Sequence, residues 1–341
     1  MEDLINVQKI IVPEIFELLE KRYDILRTVA MLHPIGRRSL ANTLKMGERA
    51  VRTEIDFLKS ENLVEVTTAG MCITYEGINI IEKLKSFIYV IRGISELERK
   101  ISRLLGIKEV IIVPGNIEED EYVIDDIGKK ASKVIEKVIS DNDIIAVTGG
   151  STMSTVAQGI SKTTKTKNIV VVPARGGLGK NVENQANTIA AEIANNLNGK
   201  YHLLHVSDTL CDEALASILH DPKIKEIISK VKKANLLLFG IGRADKMARE
   251  RELSKEILLK LQNKNAVAEA FGYFFNKEGE IVYEMNTIGI SLNDFVKTPC
   301  VIGTAGGVKK AEAIMAISKL NKNMILVTDE GAAREIINIS T

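Results

Sequence analysis

Four glycine turns carry the most chemical information in this chain of 341 residues: Gly149-Gly150, Gly176-Gly177, Gly240 with Gly242, and Gly306-Gly307. Each follows a short apolar run. The first lies in VTGGSTMSTVA, residues 147–157, where Ser151 and Thr152 follow the glycines and an amphipathic helical pattern begins. An apolar strand, a glycine turn and a helix start aim backbone N–H groups and the positive end of a helix dipole at one place, which suits an anion. Arg175, Arg251 and Lys310 stand beside such turns. Together these residues predict a phosphate-type ligand. No loop matches G-x-x-x-x-G-K-[ST], and none is a full G-x-G-x-x-G.

A second group of cations sits near the N-terminus. From Arg22 to Lys59 there are eight basic residues against four acidic ones, whereas the first twenty residues carry five acidic groups and one basic. Positive charge confined to one small unit reads as a phosphate footprint. Arg37 and Arg38 stand just before a short helical pattern and would contact phosphates, and Ser39 joins them as a DNA-binding candidate. Arg49, Arg52 and Thr53 lie largely off the apolar face of the next helix and would meet base edges, since Arg can pair bidentately with guanine.

The elements that must hold these groups can be read from periodicity. YDILRTVAML is helical with Ile25, Leu26 and Val29 on one face. HPIGRRSLANTL breaks at Pro34 and Gly36 and restarts, and ERAVRTEIDFLKSENLV places Val51, Ile55 and Leu58 on one face. LVEVTT and MCITYEG then make a β-hairpin. Three helices and a hairpin form the winged helix-turn-helix plan, whose third helix docks in the major groove. Residues 1–85 are assigned to this DNA-binding domain. Residues 86–106 read as a linker helix: Leu84, Ile88, Ile91, Ile94, Leu97, Ile101 and Leu104 follow a near-3.5 spacing. Such a seam either packs on the next domain or pairs two subunits. From residue 107 to 341, continuous apolar strands alternate with amphipathic helices, which indicates a doubly wound, mostly parallel α/β domain. AFGYFFNKEGEIVYEM reads as a late hairpin with Gly279 in its turn, and YHLLHV as a strand that would put His202 and His205 on opposite faces. Trp is absent and aromatics are only 4%, so the core is expected to be Ile, Leu, Val and Ala.

Cys72, Cys211 and Cys300 are isolated and odd in number, which excludes a disulfide framework and a zinc site and suits a reducing cytoplasm. The acidic, amphipathic N-terminus is no signal peptide, and no run approaches 18 apolar residues, so neither secretion nor a membrane partner is expected. No cofactor or metal is expected.

IGRRSLANTL, VPARGGLGKNVENQANTIA, AEAFGYFFNKEGEIV and LVTDEGAA resemble the central glycolytic gene regulators of low-GC Gram-positive bacteria, repressors of the SorC type with a DeoR-like N-terminus. The resemblance covers nearly the whole chain. It implies a homo-oligomeric (dimeric or tetrameric) repressor that binds operator DNA and is relieved by fructose 1,6-bisphosphate, with a sensor domain similar to phosphosugar isomerases and deaminases. Carried over by motif, the effector residues are Gly149, Gly150, Ser151, Thr152, Arg175, Gln185, Glu250, Arg251, Glu269 and Lys310. Glu269 would accept from a sugar hydroxyl and Lys310 would meet a phosphate. Near MARERE the pattern has two adjacent arginines, but here Glu250 precedes Arg251, and a carboxylate beside a phosphate is repulsive unless it turns outward.

The alternative is a phosphosugar isomerase or deaminase with a fused regulatory domain. That chemistry needs a placed acid/base pair. None of the four histidines, His33, His202, His205 and His220, adjoins a glycine turn. Asp329 fits a helix cap before EGAAREI. A sensor without catalytic residues is therefore expected rather than an enzyme.

Overall fold

The computed structural model describes residues 2–163, 165–177, 181–207 and 212–341. Cys211 and residues 178–180 of the VPARGGLGK motif lie outside the described residues. The fold divides into Met1–Glu96 and Leu97–Thr341.

The first unit contains α1 (Glu2–Ile11), α2 (Pro13–Leu32), α3 (Arg37–Thr43), α4 (Glu48–Ser60), β1 (Val64–Val66), β2 (Met71–Ile73) and α5 (Tyr75–Ile91). Pro13 opens α2 at a position where no N–H is needed. Ile25, Leu26 and Val29 of α2, Leu40 of α3, and Val51, Ile55 and Leu58 of α4 share one core. The antiparallel β1–β2 hairpin is the wing, and a bridge from Ile35 to Met71 braces it.

The predicted single linker helix is two helices. α5 ends at Ile91 and α6 (Ile94–Leu105) begins after two intervening residues, Arg92 and Gly93. Gly93 between them has φ +65°, the left-handed conformation that closes a helix and that glycine adopts without a Cβ penalty. The proposed seam is divided accordingly. Leu84, Ile88 and Ile91 are spent in the core of the DNA-binding unit, and Leu104 is exposed.

The second unit continues through β3 (Glu109–Val113), α7 (Val123–Val138), β4 (Ile144–Val147), α8 (Ser151–Gly159), β5 (Val170–Pro173), α9 (Ala186–Asn196), β6 (Lys200–Tyr201), α10 (Asp212–Ile218), α11 (Pro222–Lys232) and β7 (Leu236–Gly240). Next come β8 (Gly242–Arg243), α12 (Ala244–Glu250), α13 (Lys255–Asn263), β9 (Ala266–Ala270), β10 (Tyr273–Asn276) and β11 (Ile281–Glu284). The chain closes with α14 (Leu292–Lys297), β12 (Cys300–Thr304), α15 (Ala311–Ser318), β13 (Met324–Asp329) and α16 (Glu330–Ser340). Seven strands form one parallel sheet in the order β3-β13-β12-β7-β4-β5-β6. The apolar runs of all but the edge strand β6 are largely buried, as a sheet covered on both faces requires. From β4 the chain moves outward to β5 and β6, and from β7 it moves the other way to β12 and β13. The crevice between β4 and β7 is thus the topological switch point, where such sheets bind ligands.

The late hairpin, with Gly279 in its turn, belongs to a larger unit: β11-β10-β9-β8 is a four-stranded antiparallel sheet. YHLLHV is not a strand beyond Tyr201. β6 pairs with β5 at two positions, and a tight Val206 N–H to Leu204 O bond then bends the chain, so strand alternation does not reach His202 or His205. The core is mostly aliphatic, but the few phenylalanines are concentrated in it. Phe239, Phe271 and Phe295 form a triangle with ring centroids 5.0–5.4 Å apart, and Phe274 and Phe275 are fully buried.

Candidate functional site

β4 delivers Gly149 and Gly150 to the switch point. A Cβ on Gly149 would come 2.6 Å from the Asn184 carbonyl, so only glycine lets the turn at Val182–Asn184 cross so closely. The Gly150 N–H donates to the same carbonyl at 2.8 Å. That bond occupies Gly150 and leaves the first turn of α8, with Ser151 and Thr152, to offer N–H groups that have no intrahelical acceptor. Gln185 caps α9 on the neighbouring loop. Its Oε1 lies 3.1 Å from where a Cβ on Gly177 would stand, so Gly149, Gly177 and Gln185 are brought together.

Arg175 leaves β5 on the same edge and is bridged to Gly289. Its Nη1 donates to Glu269 Oε1 at 3.2 Å, and Arg251 Nη2 donates to the same oxygen at 2.8 Å. The Gly272 N–H adds a third bond at 2.7 Å. All three charged side chains are at most 7% exposed. Three donors on one carboxylate oxygen offset the cost of burying it.

The turn that aims Glu269 is unusual. Phe271 has φ +56° and Gly272 φ +86°, a two-residue hairpin of the primed type between β9 and β10. A bulky residue in the left-handed region is strained. The Phe271 ring compensates by packing against Phe239 and Phe295, and the Gly272–Glu269 bond fixes the turn. This accounts for the AEAFG motif in physical terms.

On the far side of the switch point, Gly307 N–H and Ile117 N–H donate to Asp329 Oδ2, and Ala332 N–H donates to Oδ1. Asp329 caps α16, as expected, and also ties two loops together. Burial pushes its carboxyl above the usual range, against the lowering effect of these amides. Glu118 accepts from the amide and the ammonium of Lys309. Burial raises its pKa, but Lys309 and, further off, Arg243 hold it below the ordinary value. Lys310 follows on the 3-10 turn Val308–Lys310. Its ammonium is pushed down to about 8, chiefly by burial and then by the Lys246 cation. Asp329 and Glu250 oppose the shift and Arg243 adds to it.

Glu250 and Arg251 diverge. Arg251 turns inward onto Glu269, whereas half-exposed Glu250 pairs with Lys246 at 3.6 Å. The carboxylate therefore faces a cation rather than the Arg175–Glu269–Arg251 trio. Lys246 and Arg243 were not singled out from sequence. Lys246 is four residues before Glu250 on one helix, which was a legible signal. Among the described residues, no group of His, Cys, Asp or Glu could hold a metal ion.

In the first unit, Arg37, Arg38 and Ser39 form the exposed start of α3, inside the helix rather than before it. Arg49, Arg52 and Thr53 are exposed on α4. Arg38 lies 3.4 Å from Glu48 and Arg52 3.8 Å from Asp56, both loose, solvated pairs. The Thr53 hydroxyl donates to Arg49 O. Arg22, counted above as part of the basic footprint, is committed internally: it binds Glu54 at 2.8 Å and lies 3.6 Å over the Phe57 ring.

A winged helix carrying exposed arginines, followed by an α/β domain with a cationic switch-point edge, defines a one-chain, ligand-responsive transcriptional regulator. Comparisons with known proteins agree. Residues 90–338 match the sugar-binding domain family, and residues 18–88 match the CggR N-terminal DNA binding domain. The chain is 41% identical over 99% of both chains to the central glycolytic genes regulator of Bacillus subtilis, and 40% identical, again over 99% of both, to that of Priestia megaterium. A SorC family transcriptional regulator from Enterococcus faecalis has a solved structure that covers 71% of this chain and 99% of its own, with 38% identity and a TM-score of 0.67. The protein belongs to the central glycolytic genes regulator family, within the SorC-type regulators. These relatives are regulators and not enzymes, which removes the isomerase or deaminase alternative. No helix among the described residues is long and apolar enough to cross a membrane.

Proposed function

We propose that this protein is a cytoplasmic repressor of glycolytic genes, active as a dimer or tetramer, and that fructose 1,6-bisphosphate releases it from operator DNA. The observation that carries the effector reading is the pair of buried guanidinium groups, Arg175 and Arg251, held on Glu269 at the sheet edge where Gly149, Gly177 and Gln185 meet. The guanidinium groups would contact a phosphate, the first turn of α8 with Ser151 and Thr152 would supply N–H and hydroxyl donors, and Gln185 and Lys310 would complete the grip. Glu269 serves first as the arginines' counter-charge, and any bond to a sugar hydroxyl comes in addition. Arg37, Arg38 and Ser39 would anchor the DNA backbone, and Arg49, Arg52 and Thr53 would read bases.

Calorimetric titration of the full-length protein with a phosphosugar panel tests the ligand, and operator binding with and without the tightest sugar tests the response. Arg175→Ala or Lys310→Ala should bind operator normally and respond poorly to sugar. If saturating fructose 1,6-bisphosphate alters neither DNA affinity nor oligomeric state, the effector assignment is wrong.

A further inference from the structure

One turn of α2 carries four charged residues, and they face two different partners. Glu20 and Asp24, four apart and so on one side of the helix, hold Arg92. Arg92 Nη2 reaches both Asp24 oxygens at 2.9 and 3.0 Å, and Nε reaches Glu20 at 3.3 Å. The Arg92 side chain is 14% exposed. Lys21 and Arg22, between those acids, hold Glu54 of the recognition helix α4 at 2.6 and 2.8 Å. Glu54 is buried, and its pKa is lowered: burial raises it, but the bonds and charges of Lys21 and Arg22 prevail. Arg22 also stacks on Phe57, one turn further along α4.

Arg92 is the C-cap of α5, immediately before the left-handed Gly93 at which the helical path is broken. A cation suits a helix C-terminus, and the preceding carbonyl, Ile91 O, accepts from the Lys9 ammonium at 2.8 Å. The last two residues of the DNA-binding unit before the glycine are therefore tied to α1 and α2. A guanidinium held by two carboxylates fixes direction more firmly than a single ammonium contact.

We propose that residues 20–24 of α2 couple the linker to the recognition helix: Arg92 sets how the chain leaves the DNA-binding unit at Gly93, and the Lys21–Glu54–Arg22 cluster transmits that setting to α4. Arg92, Glu20, Asp24 and Glu54 are positioning residues and touch neither ligand. A rotation of α6 about Gly93 strains the clasp, and the strain reaches α4 through one rigid helical turn rather than through a flexible tether. This rests on the reading that a sugar phosphate controls DNA binding.

The test uses full-length protein and a duplex that the protein itself selects from a random library. Arg92→Gln should bind fructose 1,6-bisphosphate with unchanged affinity and bind the unliganded duplex nearly normally. The ratio of duplex Kd with and without the sugar should fall by about 3- to 30-fold. Arg92→Lys should retain part of the ratio, and the exchange Asp24→Arg with Arg92→Asp should restore part of it. A wild-type ratio in Arg92→Gln overturns the proposal. If wild-type protein itself ignores the sugar, the effector assignment fails and not the clasp. Amide hydrogen exchange of α4 without sugar then decides: faster exchange in Arg92→Gln supports the coupling, and unchanged exchange overturns it.

Discussion

The helix pair α3–α4 and the sensor's switch-point edge both present arginines suited to phosphate, but they hold them in opposite ways. Arg37, Arg38, Arg49 and Arg52 stand in water, with at most a loose partner such as Glu48 or Asp56. Arg175 and Arg251 are almost fully buried on one carboxylate oxygen. A DNA backbone is a long, repetitive target, and mobile exposed arms can adapt to it and be screened by salt. A small sugar phosphate, the effector proposed above, would offer few contacts, so its cations would need to be in place beforehand, with the cost of desolvating them met on folding.

The sharpest way to break this contrast is Glu269→Ala, which leaves two buried guanidinium groups without their shared carboxylate. It should cost about 3–5 kcal/mol of sensor stability, read by calorimetric unfolding. A loss below about 1 kcal/mol would mean the trio is solvated after all. Next, Arg52→Ala should weaken operator binding by about 1–3 kcal/mol and relax base preference without destabilising the fold or altering sugar affinity. Smaller again is the effect of pH on the sensor. Free Lys310 titrates near 8, and an anion favours its charged form, so phosphosugar affinity should fall roughly tenfold from pH 7 to 9. Calorimetry on Lys310→Met should find that this fall has gone. Last, Arg38→Ala should weaken DNA binding uniformly across sequences and lower the salt slope by about one unit, with unfolding temperature unchanged because its ion pair is exposed.

The strands of the parallel sheet and the helices of the winged helix were legible because their apolar runs and faces are local patterns. The glycine turns could be placed on one edge because parallel strands share a carboxyl end. The linker break was less visible, since Gly93 sits within an unbroken apolar spacing and its left-handed φ is a backbone property. β8 and β9 were missed as strands because short glycine-rich or alanine-rich segments gain their identity only by pairing, β9 with β10 and β8 with β9. The Arg175–Glu269–Arg251 trio spans almost a hundred residues of chain, and no spacing rule connects its members. The family motif pointed to those positions but not to their mutual pairing, and it assigned Glu269 to the sugar where the fold first gives it to two arginines.

The position of β3 carries a consequence for how the protein is made. β3 is the first strand of the sensor in the chain, and among the described residues its one partner in the sheet is β13, through the register Ile325↔Glu109 to Asp329↔Val113. The DNA-binding unit closes on itself within residues 1–96. During synthesis the reading head can therefore fold early, while β3 waits more than two hundred residues for its neighbour. Each new molecule passes through an interval in which it is built to grip DNA and not yet built to answer a metabolite.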